Sequence, residues 1–129
     1  MLRKTAVTAL ALGLSIASAQ AAEHEIAIVA EGFFPEITYV QPGDTVTFVN
    51  TDTAPRRVFG DKFTFASDPL QEADAFTMTV IADMPNAFFG RTGTEELDDE
   101  ATAVDLADVN GEGQPMRGVL SFAPPPQAD

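Results

Sequence analysis

Cysteine, tryptophan and a second histidine are all missing from these 129 residues. Without cysteine there is no disulfide, no thiolate ligand for a metal and no thiol nucleophile. With His24 as the sole histidine, no two-imidazole metal site forms. Positive charge is scarce as well. Seven Lys and Arg stand against twenty Asp and Glu, a net charge of −13. Such a chain repels nucleic acid and anionic headgroups, and its acidity reads first as solubility, then as attraction for a basic partner. Phosphate-cradling glycine loops are also absent, since Gly111-Glu112-Gly113 stands in acidic company. No catalytic set assembles from what is left, so the sequence reads as a protein that is not an enzyme.

What is present begins with an export signal. Arg3 and Lys4 precede an apolar run from Ala6 to Ala17, too short to span a bilayer, followed by small residues. Ala19-Gln20-Ala21 has the small-x-small form of a cleavage site, so residues 1–21 read as a signal peptide. Cleavage after Ala19 is the weaker option. The mature chain would start at Ala22 and keep five basic against twenty acidic residues, a net charge of −15. No lipid anchor is predicted, and the periplasm is the expected compartment.

Residues 22–123 read as one β domain. His24–Ala30 alternates around Ile26 and Ile28, Ile37–Val40 follows Pro35, and Pro42-Gly43-Asp44 makes a turn. Thr45–Asn50 puts Val46, Phe48 and Asn50 on one face and Thr45, Thr47 and Val49 on the other. Val58-Phe59, Phe63–Ala66, Phe76–Ile81, Asn86–Phe89 and Gly118–Phe122 complete seven or eight short strands. Short strands with Pro and Gly punctuation predict an all-β Greek-key sandwich. Residues 91–112 read as an acidic, solvated loop, with room for one short turn between Thr94 and Ala107. Residues 124–129 form a Pro-rich tail unable to extend a sheet.

Two blocks carry a resemblance. Phe33, Pro35, Ile37, Tyr39-Val40, Gly43, Asp44, Val46, Phe48 and Asn50 approximate F-x-P-x-x-I-x-V-x-x-G-D-x-V-x-F-x-N. Pro115-Met116-Arg117-Gly118-Val119 is similar to P-x-M-x-G-x-V with one residue missing. Together they resemble the cupredoxins of the plastocyanin, pseudoazurin and amicyanin type. That resemblance implies a blue-copper sandwich whose type 1 site uses two imidazoles, a thiolate and a distant methionine. Carried over by position, the ligands are gone. Arg56 follows Pro55 where the first histidine belongs, Gly90 stands near the cysteine position, and Gln114 precedes Pro115 where the second histidine belongs. Only Met116 matches. The site is thus expected to be vacated, with Arg56, Gly90, Gln114 and Met116 marking its positions.

Three further features are weighed against plain structural roles. Arg56 and Arg57 form a rare basic spot that reads either as a site for an anion or a partner carboxylate, or as Arg56 pairing with a neighbouring acid in the vacated pocket or facing solvent. Asp108-x-Asn110-x-Glu112-Gly113 imitates the start of a calcium loop, but Val119 stands where a bidentate glutamate should close it. Cleavage after Ala21 would leave Ala22-Glu23-His24 at the N-terminus. Its amine, two amides and imidazole offer Cu(II) four nitrogens in a plane. The leading expectation is an exported, cupredoxin-like interaction module with an unknown, basic protein partner and no cofactor. The alternative is a periplasmic copper handler using Cu(II) at Ala22, Glu23 and His24.

Overall fold

The segment with the cleanest alternation becomes the centre of the fold. In Thr45–Asn50 (β4), Val46, Phe48 and Asn50 are fully buried while the intervening residues are half-exposed, as one face in the core requires. The computed structural model describes residues 21–98 and 100–126, so nearly all of the expected signal peptide lies outside the described residues. Eight strands form. Besides β4 they are Glu23–Val29 (β1), Gly32–Phe34 (β2), Ile37–Tyr39 (β3), Arg56–Gly60 (β5), Ala75–Thr79 (β6), Ala87–Thr92 (β7) and Arg117–Ser121 (β8).

Two four-stranded sheets result, ordered β2-β1-β4-β6 and β3-β8-β7-β5. β1 runs parallel to β4, with Ile28 opposite Asn50, and β3 runs parallel to β8, with Ile37 opposite Val119. The other pairings are antiparallel. Between the sheets the rings of Phe33, Phe48 and Phe88 meet edge to face, at centroid distances of 4.7 Å for Phe33–Phe88 and 5.2 Å for Phe48–Phe88. That geometry sets a ring's positive edge against its neighbour's negative face. Ile26, Ile28, Val46, Val58, Val80 and Leu120 fill the space around them. A Cβ at Gly118 would overlap the Phe88 ring, so only glycine fits there.

Two details depart from the sequence reading. Gly32–Phe34, with no alternation of its own, forms a strand by folding back on β1 through Val29 and Gly32. Phe63–Ala66 does not form one: Asp61–Phe63 is a 3-10 turn, with Lys62 and Phe63 at φ 56° and 52°. Only one bridge, from Ala66 to Phe59, joins that run to a strand.

The acidic insertion is more structured than a solvated loop. Ala103–Leu106 (α1) is a single helical turn, N-capped by Thr102, whose hydroxyl accepts from the Asp105 amide. Ala103 and Ala107 are buried with Phe59 and Phe89, and Leu97, Leu106 and Phe63 close around them. The insertion therefore covers the outer face of the second sheet with a small core of its own. Its acids lie mostly on the exposed side. Among the described residues no helix is long and apolar enough to cross a membrane.

Candidate functional site

Asn50, at the end of β4, organises one pole of the sandwich. Its Nδ2 donates to the carbonyls of Ala54, at 2.9 Å, and Leu70, at 2.8 Å. Its Oδ1 accepts from the Asp52 amide at 2.9 Å. A buried amide satisfied on both ends fixes the turn between β4 and β5. Asp52 is thereby presented to Arg56, the first residue of β5.

The Arg56 side chain points into the core and is 6% exposed as a residue. Its Nε and Nη2 donate to Asp52 Oδ2 at 3.1 and 2.6 Å, and Nη2 also donates to the Ala30 carbonyl at 2.9 Å. On the other side Nη1 lies 3.9 Å from Met116 Sδ and 3.6 Å from Asp108 Oδ2. The Asp108 carboxylate is itself aimed by Thr92, whose amide and hydroxyl donate to Oδ2 at 2.7 and 2.6 Å. One guanidinium thus ties together the β1–β2 turn, the β4–β5 turn, the insertion and the lead-in to β8. The hydrogen bond from Arg56, followed by the Thr53 amide, holds the Asp52 carboxyl below its ordinary value.

Three of the four positions that the resemblance marks as vacated converge here. Arg56 and Met116 touch, and Gly90 lies beneath them, its amide donating to the Met116 carbonyl at 3.2 Å. A Cβ on Gly90 would stand 2.9 Å from Met116 Sδ and 3.0 Å from Phe33 Cζ, so the thioether has taken the space of a side chain. Gln114 is the exception. It belongs to a turn in which Asn110 Oδ1 accepts from the Glu112 and Gln114 amides, each at 3.0 Å. Gln114 lines a neighbouring pocket with Glu31, Glu112 and Arg117.

These residues do not fit a type 1 copper ion. The centre already holds a fixed cation, it has no thiolate, and its Met116 is buried against that cation. The lone imidazole is elsewhere: His24 lies six residues along β1 from Ala30, about 20 Å at strand rise. The calcium-like run is also spent internally, Asp108 on Thr92 and Arg56, and Asn110 on its own turn. Among the described residues no group of three or more His, Cys, Asp or Glu side chains is placed to hold a metal.

Arg57 faces the opposite side of β5, directly across from Arg91 on β7. It is half-buried beside Phe63, Asp68, Glu96 and Leu97, so the insertion partly covers it. The two adjacent arginines therefore lead separate lives, and the burial of Arg56 leaves it little surface to offer a partner.

At the other pole, Ala22, Glu23 and His24 start β1. Asp44 gathers this end: Oδ1 accepts from the Ala22 nitrogen at 2.9 Å, and Oδ2 meets the Gln41 amide at 2.9 Å and His24 Nε2 at 3.0 Å. The His24 hydrogen bond, then the Gln41 and Ala22 amides, lowers the Asp44 carboxyl below its ordinary value. Glu23 and His24 pair with Thr45 and Val46 in the sheet. A four-nitrogen copper plane would require all three residues to leave that ladder.

Asp52, Asp108, Asn50 and the Ala30 carbonyl are the site groups that sequence reasoning missed. Asp52 carried one legible signal, standing four residues before Arg56 across a Pro-containing turn.

No family model matches the chain, and none of the curated proteins matches it. Solved structures do. The chain is similar to a copper-containing nitrite reductase from Thermus scotoductus, at 15% identity and a TM-score of 0.51, over 80% of this chain and 23% of that one. It is also similar to an auracyanin from Roseiflexus castenholzii, at 21% identity and TM-score 0.49, over 81% and 98% of the two chains. A purple cupredoxin from Nitrosopumilus maritimus shares 19% identity at TM-score 0.42, over 54% and 85%. The chain spans less than a quarter of the reductase, and at these identities the likeness establishes the fold alone. That fold is the cupredoxin sandwich.

Proposed function

We propose that this chain is an exported cupredoxin-like interaction module in which a guanidinium has replaced the copper centre as the cation that closes the binding pole. The observation that carries this reading is Arg56, buried and bonded to Asp52 and Ala30 while facing Met116. A cation of fixed charge performs no electron transfer, so what the pole has to offer is its surface. Above Arg56 that surface carries Glu31, Asp108 and Asn110, with Val109 68% exposed among them. An apolar residue inside an acidic rim suits a basic partner with an apolar contact point, steered by the chain's net negative charge. Export follows from residues 1–21, read as a signal peptide, and the periplasm is the compartment in which that partner is met.

The test has two arms. Cu(II) is titrated into the exported protein while visible absorption is followed, and no intense thiolate–copper band is expected. Exported proteins retained on the immobilised chain are then eluted with salt. A basic protein released by salt, and no longer retained by a Val109→Asp variant, supports the module. Stoichiometric Cu(II) binding abolished by His24→Ala would instead establish copper handling at the N-terminus and overturn the proposal.

A further inference from the structure

We propose that Asp44 is the receptor for the processed N-terminus: the ammonium created on Ala22 by cleavage after Ala21 docks on the Asp44 carboxylate and fastens β1 into its sheet. The inference rests on the exported reading above. It starts from an imbalance of charge. Asp44 is 5% exposed, and its one side-chain ion-pair partner among the described residues is His24, which carries charge only when protonated. A buried carboxylate without a full counter-charge is costly. No Lys or Arg pairs with it among the described residues, yet the Ala22 nitrogen sits 2.9 Å from its Oδ1.

In the uncleaved chain that nitrogen is a neutral amide. A signal peptidase breaks the bond between the Ala21 carbonyl carbon and the Ala22 nitrogen with one water. The water oxygen stays on the new Ala21 carboxylate, and Ala22 departs as an amine that is largely protonated at neutral pH. The hydrogen bond to Oδ1 then becomes charge-assisted without any atom having to move far. The neighbouring geometry is already set. The Ala22 carbonyl accepts from the Thr45 amide at 3.0 Å, so Ala22 is held in the sheet from its other side. The Gln41 amide and His24 ring occupy Oδ2 and leave Oδ1 to the N-terminus. The same amine is one of the four nitrogens of the Cu(II) plane, so docking and metal binding exclude one another.

The test compares a chain made to start at Ala22 by protease excision with one that retains Gln20 and Ala21, each with and without Asp44→Asn. The excised chain is expected to melt about 4–8 °C above the extended one, as one charge-assisted contact in a domain of this size would give. That gap should close in the Asp44→Asn pair. A second readout needs no variant: acylation of the Ala22 amine in the folded protein should run about tenfold slower than in the free Ala-Glu-His peptide, since pairing with the carboxylate favours the protonated amine, which has no lone pair with which to attack. Equal melting temperatures, or equal acylation rates, overturn the proposal through the carboxylate. Sequencing of the exported product that begins at another residue overturns it through the leader, so the two failures are told apart.

Discussion

Nη1 of Arg56 faces Sδ of Met116 at 3.9 Å. A permanent cation thus looks onto the thioether that the cupredoxin resemblance assigns to the axial ligand. Sulfur is a weak acceptor, so the grip on the guanidinium comes from Asp52 and the Ala30 carbonyl, with Asp108 as a longer-range counter-charge. Arg56→Met should therefore keep much of the packing volume but leave the Asp52 carboxylate without its partner, lowering the melting temperature by about 4–8 °C. Arg56→Lys keeps the charge but loses the fork and should recover less than half of that loss. Adding Asp52→Asn to Arg56→Met should restore part of it. Thermal unfolding of the four proteins checks the series, and a silent Arg56→Met would refute the network.

Introducing the thiolate that the resemblance implies should fail on steric grounds. In Gly90→Cys the new Cβ meets Met116 Sδ at 2.9 Å and Phe33 Cζ at 3.0 Å. Met116 can swing aside, but the Phe33 ring is wedged against Phe88. The expected cost is about 1–3 kcal/mol, read from urea denaturation. Cu(II) should then give no intense blue absorption, because Arg56 still fills the centre.

Acid should loosen this pole. Asp52 titrates below its ordinary value in the folded chain, so its contribution is present at neutral pH and is lost as pH falls through the lowered folded value. The Asp52→Asn variant should be less stable at pH 7 yet lose less of its remaining stability between about pH 5 and pH 2. Denaturant midpoints across that range test the sign. A parallel pH profile for the two proteins would mean that the Arg56 contact does not lower Asp52.

The insertion offers a separate test. Ala103 is 1% exposed between Phe59 and Phe89. Ala103→Asp buries a carboxylate there and should cost about 2–4 kcal/mol or detach the segment. Detachment would show as increased binding of a hydrophobic dye. Val104→Asp, one residue on and 48% exposed, should be nearly neutral.

Much of the sandwich was legible because its strands are half-buried. Thr45–Asn50 shows its two faces residue by residue, and the same alternation located β1 and β6. What escaped has no local period. Phe63–Ala66 looked like a strand because it is a short, mostly apolar run, but Phe63 turns to stack on Phe59, with centroids 5.8 Å apart, and the backbone bends to allow it. In the insertion, Leu97, Ala103, Leu106 and Ala107 are scattered among acids, and the rings they cover come from β5 and β7. Phe59 lies far from them in sequence, so no local window contains that half of the contact. Of the four positions that the resemblance marks, Arg56, Gly90 and Met116 lie together in the structure and Gln114 stands apart. Asp108 was hidden because its role depends on how the insertion folds back onto Thr92.

One pairing governs when the molecule can be finished. β3 hydrogen-bonds to no strand other than β8, and Ile37 meets Val119 across nearly the whole length of the domain. A chain emerging N-terminus first carries β3 without a strand partner until β8 arrives. Closure of so long a loop is slow compared with hairpin formation. Until then β3 and β7 both present unpaired backbone, the form in which strands recruit the wrong partner. Loss of Arg117–Ser121 would therefore leave the second sheet divided, with β3 cut off from β7 and β5.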